Sequence, residues 1–368
     1  MIHFVLLIVC AAVIYLSCEW FVNAVEWLGQ RLKVGPLAVG TILAAFGTAL
    51  PESVVTFVAV VFGKDHAQKD IGVGAAMGGP LALATVAYGV TGWMMWSRRR
   101  RVAAAAMAGA QAPAGTKTTG ARSTGSGSIA AGSGTMDSGS GTGDVGDLRK
   151  LMRDQKWFLV IFVVKVALGL VAFTFKPWLG LAFFAAYAVY FWREIRSGGD
   201  GDDAGEELEP LLLQRRRSTP ATWAVATQTL VTLVIIFAAS QLFVHQLDAI
   251  GPMLGLPAAV TALLLSPIAT ELPEIMNAII WVRQGKVPLA LANISGAMMI
   301  QATVPSGLGL LFTPWRFDGA LLLSGAVTMV AIGYLLVLLR TGRFNARTVS
   351  FAAVFYAAFA VGLIPILT

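Results

Sequence analysis

This chain is short of charge. Asp, Glu, Lys and Arg make up 13% of its 368 residues, while hydrophobic residues make up 57%. Soluble domains carry about 25% charged residues. The shortfall excludes an ordinary soluble protein and leaves an integral membrane protein. Cysteine is scarce as well. Cys10 and Cys18 lie on one apolar segment, which excludes a disulfide scaffold and reads as reduced packing residues. No basic region precedes the first apolar run, which starts at Met1-Ile2-His3 and continues into Glu19-Trp20-Phe21. That run reads as a first membrane helix and not as a cleaved signal. No H-E-x-x-H cluster and no G-x-S-x-G elbow occurs, so an intramembrane enzyme has no support; we expect no catalytic residue and no cofactor. The net charge of +7 comes mostly from loops. The positive-inside bias accounts for it better than nucleic-acid binding does.

What is present is a series of long apolar runs. Runs of about 20 residues read as spanning helices. There are ten, at roughly 3–28, 36–62, 71–96, 157–175, 177–195, 222–246, 256–282, 287–313, 318–340 and 347–367. The chain therefore divides into 1–102 with helices 1–3, 151–195 with helices 4–5, and 222–368 with helices 6–10. Residues 103–150 form a Gly/Ser/Ala tract with almost no large side chains, expected to be a disordered linker. Residues 196–221 hold Asp200, Asp202, Asp203, Glu206, Glu207 and Glu209, then Arg215-Arg216-Arg217. They read as a solvated cytoplasmic linker or as a regulatory cation-binding segment, although the acidic residues lack the spacing of an EF-hand.

Lys and Arg concentrate in the odd-numbered loops. That asymmetry puts those loops in the cytoplasm and both termini outside. The expectation is an all-α, multi-pass protein of the plasma (inner) membrane. With five helices per half, the second half is inserted upside down relative to the first.

Two stretches break the apolar pattern. Thr48-Ala49-Leu50-Pro51-Glu52 puts a proline and a carboxylate in the run from Val34 to Phe62. Proline removes a backbone donor, and a Glu in hydrocarbon costs several kcal/mol. The same offence recurs 222 positions later, as Thr270-Glu271-Leu272-Pro273-Glu274. That shift aligns Glu19–Glu52 with Gln241–Glu274 without a gap, and Gly78 later pairs with Gly296. An internal repeat with an odd helix count per half is the inverted-repeat plan of secondary transporters.

The residues themselves suggest a cation site. Glu52 and Glu274 on opposed broken helices would repel unless a cation or protons lay between them. Thr48 and Thr270 stand one turn upstream on the same faces, and carbonyls freed by Pro51 and Pro273 add oxygen donors. Hard oxygen ligands suit Ca2+, Na+ or Mg2+.

These motifs carry a resemblance. Glu19-Trp20-Phe21-Val22 through Leu32-Lys33-Val34, then Gly47–Glu52, resembles the first α-repeat of the sodium/calcium exchanger (cation/calcium antiporter) superfamily, in a divergent prokaryotic-type form. Ala269–Glu274 with Ala290-Leu291-Ala292-Asn293-Ile294-Ser295-Gly296 resembles the second. The resemblance implies ten helices in two inverted five-helix repeats, with helices 2 and 7 broken. It implies a secondary active antiporter that moves Ca2+ or another hard cation against Na+ or H+ by alternating access, with inorganic cations and the bilayer as partners. Glu52 and Glu274 would be central ligands, Thr48 and Thr270 flanking donors, and Asn293 a ligand amide. The departures are specific. Ala49 and Glu271 stand where the family has Ser, and the helix-3 pattern G-N-x-x-G-S-N appears as Gly74-Ala75-Ala76-Met77-Gly78-Gly79-Pro80. The site has lost neutral oxygens and gained a carboxylate, Glu271. Fewer sodium sites favour proton coupling. The other reading is a cation-binding membrane scaffold that does not transport. Lys165, inside helix 4, is a counter-ion to Glu271, an internal cation in place of sodium, or a snorkelling side chain. Glu19 lines the cavity or sits at the interface beside Trp20.

Overall fold

The computed structural model describes residues 2–62, 66–110, 145–197, 208–253, 255 and 264–367. Among them the regular structure is helical, with no strand. Six helices are long and apolar enough to cross a membrane: Ile2–Leu32, Gly72–Arg100, Thr222–Phe243, Val287–Phe312, Gly319–Arg340 and Ala346–Ile366.

Helix α1 (Ile2–Leu32) is about 46 Å long at 1.5 Å per residue. It ends where Lys33 turns to a positive φ of 55°, ahead of Gly35-Pro36. A π-helical stretch, Val39–Ala44, then leads into α2 (Ala45–Phe62). Here the structure corrects an expectation. Helix 2 is not broken at Pro51: α2 runs through it, and the irregularity lies upstream in the π-helical turns. A proline forfeits one hydrogen bond and crowds the preceding turn, yet the chain stays α-helical across Pro51, and the π-helical turns end at Ala44, ahead of the turn that Pro51 crowds.

Helix α3 (His66–Ala82) passes through a second π-helical stretch, Leu83–Ala87, into α4 (Tyr88–Ala110). Helix α4 reaches eight residues into the tract expected to be linker, because Ala103–Ala106 are strong helix formers. Helix α5 (Val145–Leu170) reclaims its other end. The expectation of disorder falls on residues 111–144, outside the described residues.

Helix α5 stops at Leu170, five residues before the expected end, and a turn at Lys176–Trp178 leads into α6 (Leu179–Ser197). The Lys176 ammonium donates to the carbonyls of Val171, Pro314 and Trp315, which fixes that turn.

The charged linker is partly docked where it is described. Leu211 is buried with Ala24, Trp27, Ala224 and Val225. Trp27 donates to Glu209 O at 2.9 Å, and Asn23 accepts from Leu212 N at 3.0 Å. Gln228 accepts from Leu213 N at 2.9 Å. Leu211–Gln214 and Pro220 are therefore strapped over α1 and α7 (Thr222–Met253), while Arg215–Thr219 stay exposed as a solvated linker would. Local composition hid this, since the partners lie about 190 residues away in α1. The acidic residues 200–207 lie outside the described residues.

After α7 come α8 (Ser266–Thr270), α9 (Leu272–Gln284), α10 (Val287–Phe312), α11 (Gly319–Arg340), α12 (Ala346–Ser350) and α13 (Ala353–Leu367). Helix α10 is the centre. In its most apolar window 89% of residues are buried, against 28% for α1. It is wrapped by α2, α3, α5, α6 and α9. A helix apolar on all sides has no solvent face to offer and belongs inside.

Candidate cation site

The second break is built at Glu271. Helix α8 ends at Thr270, and α9 starts at Leu272 with Pro273 in its first turn. Glu271 joins the two with φ −84° and ψ 5°. Pro273 has no N–H, so the helix ladder loses a rung here. Both carboxylates of the stretch point inward: Glu271 is 0% exposed and Glu274 1%. Gln301 of α10 donates to Glu271 Oε1 at 2.6 Å.

Asn293 of α10 is fully buried and donates to the backbone carbonyl of Glu274 at 3.2 Å. Its amide oxygen has no hydrogen-bond partner. Asn277, three residues after Glu274 and so on the same face of α9, is also fully buried, and neither end of its amide is hydrogen-bonded. A buried amide left unpaired costs about 1–3 kcal/mol. Two such amides beside a buried carboxylate form a hard oxygen-donor set of the kind that binds Ca2+, Na+ or a proton.

The threonines keep their acceptor capacity. Thr270 Oγ1 donates to Pro267 O at 3.1 Å, and Thr48 Oγ1 donates to Ala44 O at 3.0 Å. Each hydroxyl proton is used on backbone, leaving lone pairs on the oxygen. Glu52 lies one turn beyond Thr48 in α2; its side chain is outside the described residues.

Two close crossings hold the site together. At Gly296 of α10 a β-carbon would stand 2.1 Å from the Thr41 carbonyl. Only glycine lets the π-helical stretch of the first half lie there. At Gly78 of α3 a β-carbon would stand 2.8 Å from the Pro267 ring, and at Gly79 one would stand 2.7 Å from Glu271 Oε1. Gly78 and Gly296 are partners in the repeat, and each lies against the opposite half.

Several residues escaped sequence reasoning. Gln301 and Asn277 are polar residues in apolar runs, and Asn277 could have been found by its spacing from Glu274. Glu194 of α6 is 1% exposed and accepts from Thr41 Oγ1 at 2.8 Å. Lys150 pairs with it, and Arg153 lies 3.5 Å away. Asp154 is buried beside this cluster, at the edge of a small cleft lined by Thr41, Asp147, Lys150, Pro288 and Leu291. Glu26 of α1 accepts from Trp281 Nε1 at 2.9 Å and pairs with Lys286 at 2.5 Å. Lys165 does not snorkel: it is 0% exposed. Glu19 is exposed beside Trp20, in keeping with an interface position.

The chain matches the sequence profile of the sodium/calcium exchanger protein family over residues 2–114 and 225–364. CaxA of Alkalimonas amylolytica, an antiporter by name, is 29% identical over 140 residues, which is 37% of this chain and 44% of that protein's length. The inner membrane protein YrbG of Escherichia coli is 23% identical over 313 residues, covering 85% of this chain and 81% of its own. Structures of the sodium-calcium exchanger NCX_Mj share the fold. One in sodium without calcium has a TM-score of 0.68 at 15% identity and covers 100% of this chain and 98% of that one. Another, soaked with strontium, has a TM-score of 0.66 at 14% identity and covers 97% of each.

Proposed function

The chain belongs to the sodium/calcium exchanger family, and from that premise we propose that it is a secondary active cation antiporter that moves Ca2+ or another hard cation against Na+ or H+ by alternating access. One observation carries the reading. Two buried carboxylates, Glu271 and Glu274, stand one turn apart at a split helix, Asn293 donates to the Glu274 carbonyl, and the amide oxygens of Asn293 and Asn277 are buried and unpaired. Ionisable groups at membrane depth mark ion paths. The ligand set is Glu52, Glu274, Thr48, Thr270, Glu271 and Asn293, joined by Asn277.

The architecture we propose is ten membrane helices in two inverted halves, in an inner membrane, with both termini outside. The crossings of Gly296 on Thr41 and Gly78 on Pro267 support it: Pro267 lies four residues after Leu263, the repeat partner of Thr41, so a two-fold axis in the membrane plane accounts for the pair to within about a turn. Helices α1 and α7 are the sliding pair. They pack along each other, while outer residues such as Ile8 and Leu230 stay 69% and 63% exposed. The loss of polar side chains from Gly74–Pro80 favours few monovalent ions per cycle, and so proton coupling.

The test is flux. Purified protein in liposomes is given a Na+ or H+ gradient, and uptake of radioactive calcium and sodium is followed. Wild type should move a cation on the gradient, and uptake driven by a pH jump should persist without sodium. Glu52→Gln and Glu274→Gln should each reduce uptake to the level of empty vesicles. Flux untouched by both substitutions refutes the site, and a strict sodium requirement refutes proton coupling. No gradient-driven flux of any cation would leave the other reading, a cation-binding scaffold, which the stripped stretch Gly74–Pro80 keeps in view.

A further inference from the structure

Pro80 lies inside α3. It has no N–H, so the carbonyl of Ala76, four residues earlier, has no helical donor. Lys165, from α5, supplies one: its Nζ donates to Ala76 O at 2.7 Å. The side chain is fully buried, and Nζ lies 4.6 Å from the centre of the Phe162 ring, a distance at which the ring face attracts a cation. An ammonium so placed is costly unless opposite charge lies near.

A carboxylate, Glu271, packs against the same turn of α3. Helical carbonyls point toward the C-terminus, so the Ala76 oxygen lies level with Gly79 and Pro80. Gly79 is where a β-carbon would stand 2.7 Å from Glu271 Oε1. The ammonium and the carboxylate thus meet one turn of α3. A helix carbonyl without its donor, next to a carboxylate, is a ligand pair of the kind that takes sodium in broken membrane helices.

We infer that the Lys165 ammonium is a built-in monovalent cation of the transport site. It holds the Ala76 carbonyl and balances Glu271, as a bound sodium ion otherwise would, so the protein binds and exchanges one monovalent ion fewer per cycle. Pro80 and Lys165 are one device: the proline frees the oxygen and the lysine fills it. This deepens the antiporter reading and rests on it.

The test reads binding, so a chain that binds cations without moving them still answers. Wild type, Lys165→Met, Lys165→Gln and Lys165→Arg are purified in detergent. Their unfolding temperatures are measured in rising NaCl, against choline chloride at equal ionic strength. Lys165→Gln keeps an N–H donor for Ala76 and removes the charge, so the comparison survives if Lys165→Met fails to fold. The neutral variants should gain a saturable, sodium-specific stabilisation of several degrees. Wild type and Lys165→Arg should show a smaller shift or none. In liposomes with active protein, Lys165→Gln should move about one more monovalent charge per cycle than wild type. A sodium response in wild type equal to or larger than in the neutral variants overturns the inference, whether or not any of the four transports.

Discussion

The two breaks share four letters of five, yet they fold differently. Thr48–Glu52 lies in an unbroken α2, while Thr270–Glu274 is split at Glu271. The letter that differs is Ala49 against Glu271. Ala49 is a strong helix former, sealed in the core. Glu271 brings a charge that needs partners, and it meets Gln301. The first break leans instead on a polar cluster at one remove, through Thr41 and Glu194. Repeated sequence therefore marks where the proposed site lies, and single departures set its charge.

The comparison can be broken most severely by making the first break resemble the second. Ala49→Glu would bury a carboxylate with no Gln301 beside it, and it should destabilise the protein by about 3 kcal/mol or more. Differential scanning fluorimetry in detergent would read this, and an unchanged melting temperature would show that the halves are interchangeable. Next come the crossings. Gly296→Ala would drive a methyl into the Thr41 backbone, while Gly78→Ala meets only the edge of the Pro267 ring. Losses of about 3 and about 1 kcal/mol are expected, within the range for overpacking. The reverse order in a thermal melt would overturn the assignment of the tighter crossing. A smaller effect follows from Gln301→Leu, which removes the donor to Glu271. Calcium or sodium affinity, by isothermal titration, should change about 10-fold, as for other residues that orient a ligand.

The gentlest test concerns pH at the cluster behind the first break. Asp154 precedes the apolar run that begins at Trp157. Burial, and then the Glu194 carboxylate, push its carboxyl up to about 7 against Lys150 and Arg153. Its folded value lies above its unfolded one, so the folded state holds an extra proton between about pH 4 and pH 7. Stability should fall as pH rises through that window. Asp154→Asn should flatten the fall in melting temperature; parallel curves for the two proteins would sink the assignment.

Much of the fold was legible because membrane helices announce themselves in length and polarity. The repeat was legible because Pro51, Glu52, Pro273 and Glu274 violate that code twice at one spacing. The continuity of α2 through Pro51 was not legible, since a proline within an apolar run reads as a break, and the π-helical stretch upstream has no special composition. The strap around Leu211 was hidden because Asn23, Trp27 and Gln228 that hold it are ordinary polar interruptions in other helices. Lys165 was visible as an anomaly, but its meaning needed Pro80, which lies in a different helix and was notable only for the Asn it replaces.

Thr41 under Gly296 has one more consequence, which concerns synthesis. Thr41 and Gly296 are 255 residues apart, as are Cys18 and Pro273, and Glu26 and Trp281. Closing loops of that length is slow, and long-range contacts form late. Helix α1 can close on α7 and α9 as they are made, but Thr41 has no Gly296 to lie under until the ribosome delivers α10. Until then the Thr41 crossing stays open, and a chain cut short before α10 is expected to be degraded faster than the full chain in a pulse-chase measurement.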